Sequence, residues 1–158
     1  MNTSNLFSAR KIYIIIIVVV GLLLLGVWWS NSLQKNDPDI ISRNGMHWHP
    51  ELSIYVKGVK QEIPTNIGIG TKYAGFPGYD MNMAMAGVHT HDEMGIIHFE
   101  FGGIVRKEDL TLGQFFDIWG KDIKSFGTNM KMIVNGIENT EYENYIMQDK
   151  DKIELRYE

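Results

Sequence analysis

Between Ile12 and Trp29 the chain carries 18 consecutive residues without a charge, and this run limits what the polypeptide can fold into. A helix rising about 1.5 Å per residue carries it through roughly 27 Å, close to the ~30 Å hydrocarbon core of a bilayer. Arg10 and Lys11 precede the run, and Trp28-Trp29 close it as an interfacial aromatic pair. The positive flank predicts a cytoplasmic N-terminus and an exported C-terminal portion. The expected division is a cytoplasmic tail over residues 1–11, a transmembrane anchor over 12–29, a linker over 30–44 and an extracytoplasmic domain over 45–158. A cleaved signal peptide is the rival, since Ser30-Asn31-Ser32 offers a small-x-small pattern. Against it, the apolar run is longer than a usual signal core, and two tryptophans suit a cleavage site poorly. Under both readings the remainder lies outside the cytoplasm.

That remainder is the length of one ordinary domain, with enough Ile, Val, Leu, Phe, Tyr and Met to build a core without a staple. The chain has no cysteine, which excludes disulfides, thiolate metal sites and a redox dithiol. Of the 15 Lys and Arg, two precede the apolar run, whereas all 19 acids follow it, so the exported part carries about −6. An acidic balance without a basic stripe argues against nucleic acid as a partner and favours cations.

Residues 31–44 are polar and read as a spacer around Asp37-Pro38-Asp39. Leu52, Ile54 and Val56 alternate with Glu51, Ser53 and Tyr55, which predicts a half-buried strand. Lys57-Gly58 is a turn and Val59 to Pro64 the return strand. Counted along that strand, His47 and His49 fall on the face opposite Leu52 and Ile54. Residues 68–87 read as a long Gly-rich loop ending in the alternation Met81-Asn82-Met83-Ala84-Met85. The next strand is Gly95–Phe101, with Ile97, Phe99 and Phe101 on one face and Ile96, His98 and Glu100 on the other. Thr111 and Gln114 form a capping-box pattern before the apolar stripe Leu112, Phe115, Phe116 and Trp119, and Gly120 stops that helix. Met130–Val134 enters an Asn135-Gly136 hairpin turn, and Lys152–Tyr157 is the last strand. The fold class expected is α+β: an N-terminal transmembrane helix, then a small, mainly antiparallel sheet packed on one helix, in a β-grasp-like arrangement.

The five histidines of the chain are clustered: His47-Trp48-His49, His89-Thr90-His91, and His98. A strand puts residues i and i+2 on one face, so each His-x-His can aim two ring nitrogens at one point. Neutral imidazole is the commonest protein ligand for borderline transition metals. Each pair alone is as readily a solvated surface feature; two pairs and a fifth histidine in one small domain predict a metal site. Asp92, Glu93 and Glu100 are candidates for a further ligand, or for acceptors that orient the rings, as well as for ordinary surface acids. Met81, Met83 and Met85 would present three thioethers on one face if the segment is extended, a soft set suited to Cu(I), or would simply fill the core.

The resulting expectation is a membrane-anchored, extracytoplasmic metal-binding protein, with copper favoured over zinc, that captures, delivers or buffers the ion. Its metal ligands would be His47, His49, His89, His91, His98, Met81, Met83, Met85 and Glu100. Its partners would be the ion, the membrane and another membrane protein. A small metalloenzyme is the first alternative, with an open coordination position and Glu93 or Glu100 as acid–base group. His89-Thr90-His91-Asp92 resembles the opening of metallo-hydrolase motifs, yet no histidine follows the acid, and there is no nucleophile arrangement or phosphate loop. The other alternative is an accessory subunit of a membrane complex with no metal role, which requires the imidazoles to scatter.

Several stretches also resemble a family of small, uncharacterised exported or membrane-anchored proteins. They are His47-Trp48-His49 leading into Leu52-Ser53-Ile54, Ile63-Pro64 followed by Ile67-Gly68-Ile69, and His89-Thr90-His91-Asp92. They continue as Gly95-Ile96-Ile97-His98-Phe99-Glu100 and Leu112-Gly113-Gln114-Phe115-Phe116-Asp117-Ile118-Trp119-Gly120. Members of that family often carry a cysteine shortly before the His-Thr-His stretch, where this chain has methionines. The resemblance implies an anchored or exported setting and carries no activity with it.

Overall fold

The computed structural model describes residues 3–158 apart from 36, 92 and 93, and divides into two compact units, residues 1–38 and 39–158. The first is a single helix, α1 (Thr3–Lys35), in which the 24-residue stretch Arg10–Leu33 contains an 18-residue window of mean hydropathy 2.8. At about 1.5 Å per residue this stretch is long enough to cross a bilayer. None of it is buried, so the Ile, Val and Leu side chains present apolar surface all round.

The second unit is α+β. Its elements run β1 (Ile40–Ser42), β2 (Met46–Trp48), β3 (Glu51–Val56), β4 (Val59–Gln61), β5 (Val88–His89), β6 (His98–Phe101), β7 (Val105–Arg106), α2 (Leu112–Trp119), β8 (Lys131–Val134), β9 (Ile137–Asn139) and β10 (Lys152–Tyr157). The main sheet has the order β4-β3-β10-β8-β9, with β3 and β10 parallel at its centre and every other pair antiparallel. Two hairpins, β3-β4 and β8-β9, flank the central strand β10, with α2 in the connection between them, and this is the β-grasp order.

Local chemistry sets these elements. The two hairpins turn on Lys57-Gly58 and Asn135-Gly136, all four residues at positive φ, as a two-residue turn matched to strand twist requires. Thr111 caps α2, its Oγ1 accepting from the Gln114 N–H at 3.1 Å, and Gly120 ends the helix at φ 72°. Leu112, Phe115, Phe116 and Ile118 of α2 are buried together with Leu52, Ile54, Met132, Ile153 and Leu155 of the sheet. Phe126 lies between Phe116 and Tyr157, with ring centroids 6.2 and 5.7 Å away.

Three expectations are corrected here. The spacer is shorter than 30–44, because α1 continues to Lys35 and Ile40–Ser42 already pairs with Val105–Arg106. The strand carrying His47 is not continuous with β3: Pro50 follows β2, and β2 joins a different sheet of order β2-β6-β5. The segment Met81–Met85 is not extended. Asp80 and Met85 exchange backbone hydrogen bonds at 2.8 and 3.3 Å across the turn, and Asp80 Oδ1 accepts from the N–H groups of Asn82 and Met83. An aspartate that caps its own following backbone draws the chain into a turn, which the alternating pattern alone does not reveal.

Candidate metal centre

The three-stranded sheet β2-β6-β5 assembles the site through its register. Trp48 lies opposite Phe99 and Val88 opposite Phe99, so these side chains line the inward face with Ile97 and Phe101. One residue along, parity reverses: His47 lies opposite Glu100, and His89 opposite His98. Directly opposed residues on one face of an antiparallel pair stand close enough to touch, so the outward face gathers His47, Glu100, His98 and His89. His49 and His91 stand two positions beyond His47 and His89 and extend the group.

The rings form a continuous chain. His47 and His49 have centroids 4.6 Å apart, His49 and His98 4.9 Å, His98 and His91 4.8 Å, and His89 and His91 4.7 Å. His89 stacks on His98 at 5.4 Å with 9° between planes. Among the described residues two groups have ligand atoms within 4.8 Å of one another: His47, His49 and His98, and His89, His91 and His98. His98 belongs to both. The scatter demanded by a role without metal is absent from these five side chains.

His89 is the fixed point. It is 1% exposed, and its Nδ1 lies 3.0 Å from the Ala86 carbonyl. A carbonyl only accepts, so Nδ1 carries the proton and the Nε2 lone pair faces the site. That Nε2 stands 3.1 Å from His91 Nε2 and 4.0 Å from Glu100 Oε2. Metal–nitrogen bonds of about 2.0–2.1 Å in a tetrahedron put neighbouring nitrogens roughly 3.3–3.4 Å apart, so the His89–His91 pair already has the spacing an ion needs. Burial holds the His89 imidazole below its ordinary pKa; the Ala86 carbonyl partly opposes this, and His91 adds to it. The neutral, ligating form is the one favoured.

Residues that sequence reasoning gave no role keep this geometry. Thr90, fully buried between the two histidines, donates from Oγ1 to the Pro64 carbonyl at 2.9 Å and accepts from the Ile67 N–H at 3.1 Å. Its own N–H and C=O bond Ile67 and Asn66. With Thr90 pinned inward, His89 and His91 must point the other way. Gly68 lets this neighbouring segment approach: a Cβ there would lie 2.3 Å from the Val88 carbonyl oxygen and 2.9 Å from His89 Cβ. On the other side Asp149 Oδ1 accepts from the His49 N–H at 3.0 Å. A polar residue between two histidines is the one sequence signal that could have marked Thr90.

The remaining sequence candidates divide. Glu100 stands beside His89 and across from His47. Met81 is 85% exposed at the tip of its turn, whereas Met83 lines a cavity of about 380 Å³ together with Tyr79, Asp80 and Glu100. Met85 closes the base of the turn. The three sulfurs therefore do not form the single face that an extended segment would give. Asp92 and Glu93 lie outside the described residues.

No protein-family model matches this chain. No curated protein and no solved structure matches it either. The site's chemistry is read from its own side chains: five imidazoles with, among the described residues, the Glu100 carboxylate beside them, and no cysteine in the chain, a donor set that could hold a transition-metal ion.

Proposed function

We propose that the chain is a membrane-anchored protein whose folded domain binds a transition-metal ion outside the cytoplasm, copper ahead of zinc, to capture, deliver or buffer it. One observation carries the reading: two histidine triads share His98, each with its ligand atoms within 4.8 Å. An apolar helix flanked by Arg10 and Lys11 supports tethering with the N-terminus inside. Nitrogen ligands without thiolate favour Cu(II) on affinity. Met83, on the same cavity as Glu100, is the thioether best placed to assist Cu(I).

The test is metal analysis of the full chain, purified in detergent and dialysed against a weak chelator, beside a His49→Ala, His91→Ala and His98→Ala triple variant. Each triad then keeps a single histidine, and buried His89 stays to protect the fold. The variant should emerge with no bound copper or zinc. Equal metal content in the two proteins would sink the proposal.

A further inference from the structure

The same five histidines do more than count as ligands, because their two triads differ in preparation. His89, His91 and His98 contain the anchored ring: His89 is buried, its tautomer is set by the Ala86 carbonyl, and its Nε2 is already 3.1 Å from that of His91. Glu100 Oε2, 4.0 Å from His89 Nε2, stands where a fourth donor would close the set. The other triad has two exposed members, His47 and His49, and its Glu100 neighbour lies across the strand pair from His47.

The shared residue limits how the triads can work together. A neutral imidazole has one free lone pair, its other nitrogen carrying a proton. His98 can therefore complete one triad at a time. Two ions cannot each hold three histidines; a second ion would have to make do with the two of whichever pair His98 has left. With rings of the two triads in contact through His98, at 4.9 Å to His49 and 4.8 Å to His91, an ion can pass between them without leaving the histidines.

Resting on the metal-binding reading of this site, we infer that the histidines form a two-position relay for a single ion. The exposed triad His47, His49 and His98 takes the ion up, and the anchored triad His89, His91 and His98 holds it. His98 is the ligand that changes partners. No bond other than metal–ligand bonds forms or breaks, and the ion keeps its charge.

The experiment uses Zn²⁺ and the full chain in detergent micelles, with a chromophoric chelator as competitor and stopped-flow mixing. Titration should show one tightly held ion per chain. A His47→Gln, His49→Gln variant should lose the fast phase of loading while keeping the unmodified chain's final affinity. A His91→Gln variant should keep the fast phase and lose retention against the chelator. All three replaced residues are exposed, and an unchanged near-ultraviolet circular dichroism signal confirms that each variant is folded. Two ions held equally tightly, or unchanged loading in the His47, His49 variant, overturn the relay while leaving metal binding intact. Failure of the unmodified chain to retain either Zn²⁺ or copper overturns both.

Discussion

Replacing Thr90 by valine isolates the effect of a hydroxyl that touches no metal. Valine keeps the β-branch and nearly the volume, so no cavity opens; what disappears is one donor and one acceptor in a fully buried place. The Ile67 N–H and the Pro64 carbonyl lose their partners at 3.1 and 2.9 Å. The buried Ile67 N–H left unsatisfied costs about 1–3 kcal/mol, whereas the carbonyl of exposed Pro64 can turn to water and adds little. A domain stable by about 5–15 kcal/mol survives that, so binding can still be measured. With a urea slope of about 1–3 kcal/mol/M, the midpoint should fall by about 1 M. Because Thr90 fixes the direction of both flanking histidines, metal affinity should fall as well, by roughly 10–100-fold, as when a residue that orients a ligand is lost. Thr90→Ser keeps the hydroxyl and should recover most of both losses. The assays are urea unfolding in detergent, followed by near-ultraviolet circular dichroism, and chelator competition for the ion. A Thr90→Val protein that loses stability yet binds metal as tightly as the parent would refute the positioning role.

Leu155→Ala, at a fully buried position of the central parallel pair, should cost about 2–5 kcal/mol in unfolding experiments while leaving the number of bound ions unchanged. Tyr157 donates its hydroxyl to the Ile123 carbonyl at 2.6 Å, and burial, then Asp122 and Glu143, push its pKa up. The folded state therefore favours the protonated phenol: this contribution is intact below the unfolded value of about 10 and is lost as pH rises beyond it. Thermal melts between neutral pH and pH 11 should show the decline, and Tyr157→Phe should make it shallower. Met83→Ser should weaken Cu(I) retention in a chelator assay, whereas Met81→Ser, at the exposed tip of the turn, should not; equal effects would remove the special place given to Met83.

The parts of the fold legible in the sequence are those that local chemistry decides. Thr111, Gln114 and Gly120 bracket α2 at the residues where it starts and stops, and alternation marks β10 from Lys152 to Tyr157. Asn135-Gly136 names its own hairpin. Which histidines meet was not legible, because it depends on the register of β2 and β5 against β6, strands of two to four residues paired across gaps of up to about fifty positions. The parity count through Pro50 put His47 and His49 on an outward face, and both are exposed, but the strand it assumed is broken. The methionine run misled for a related reason: a period of two is shared by a strand and by a turn whose alternate residues happen to match. Only Asp80, capping Asn82 and Met83, separates the two cases.

Fold and site are written in different residues, and this decides how variants should be read. The five-stranded sheet and α2 contain no histidine; all five lie in or beside β2, β5 and β6. The core that holds the domain together, from Leu52 to Tyr157, is aliphatic and aromatic, and it buries only one imidazole, that of His89. Loss of metal after changing His89 therefore mixes two causes, a missing ligand and a hole beneath the site. At His49 and His91, which are exposed, the fold has little to lose. Lost binding there, with an unchanged fold, reports coordination directly, and His98 is the position where both triads fail together.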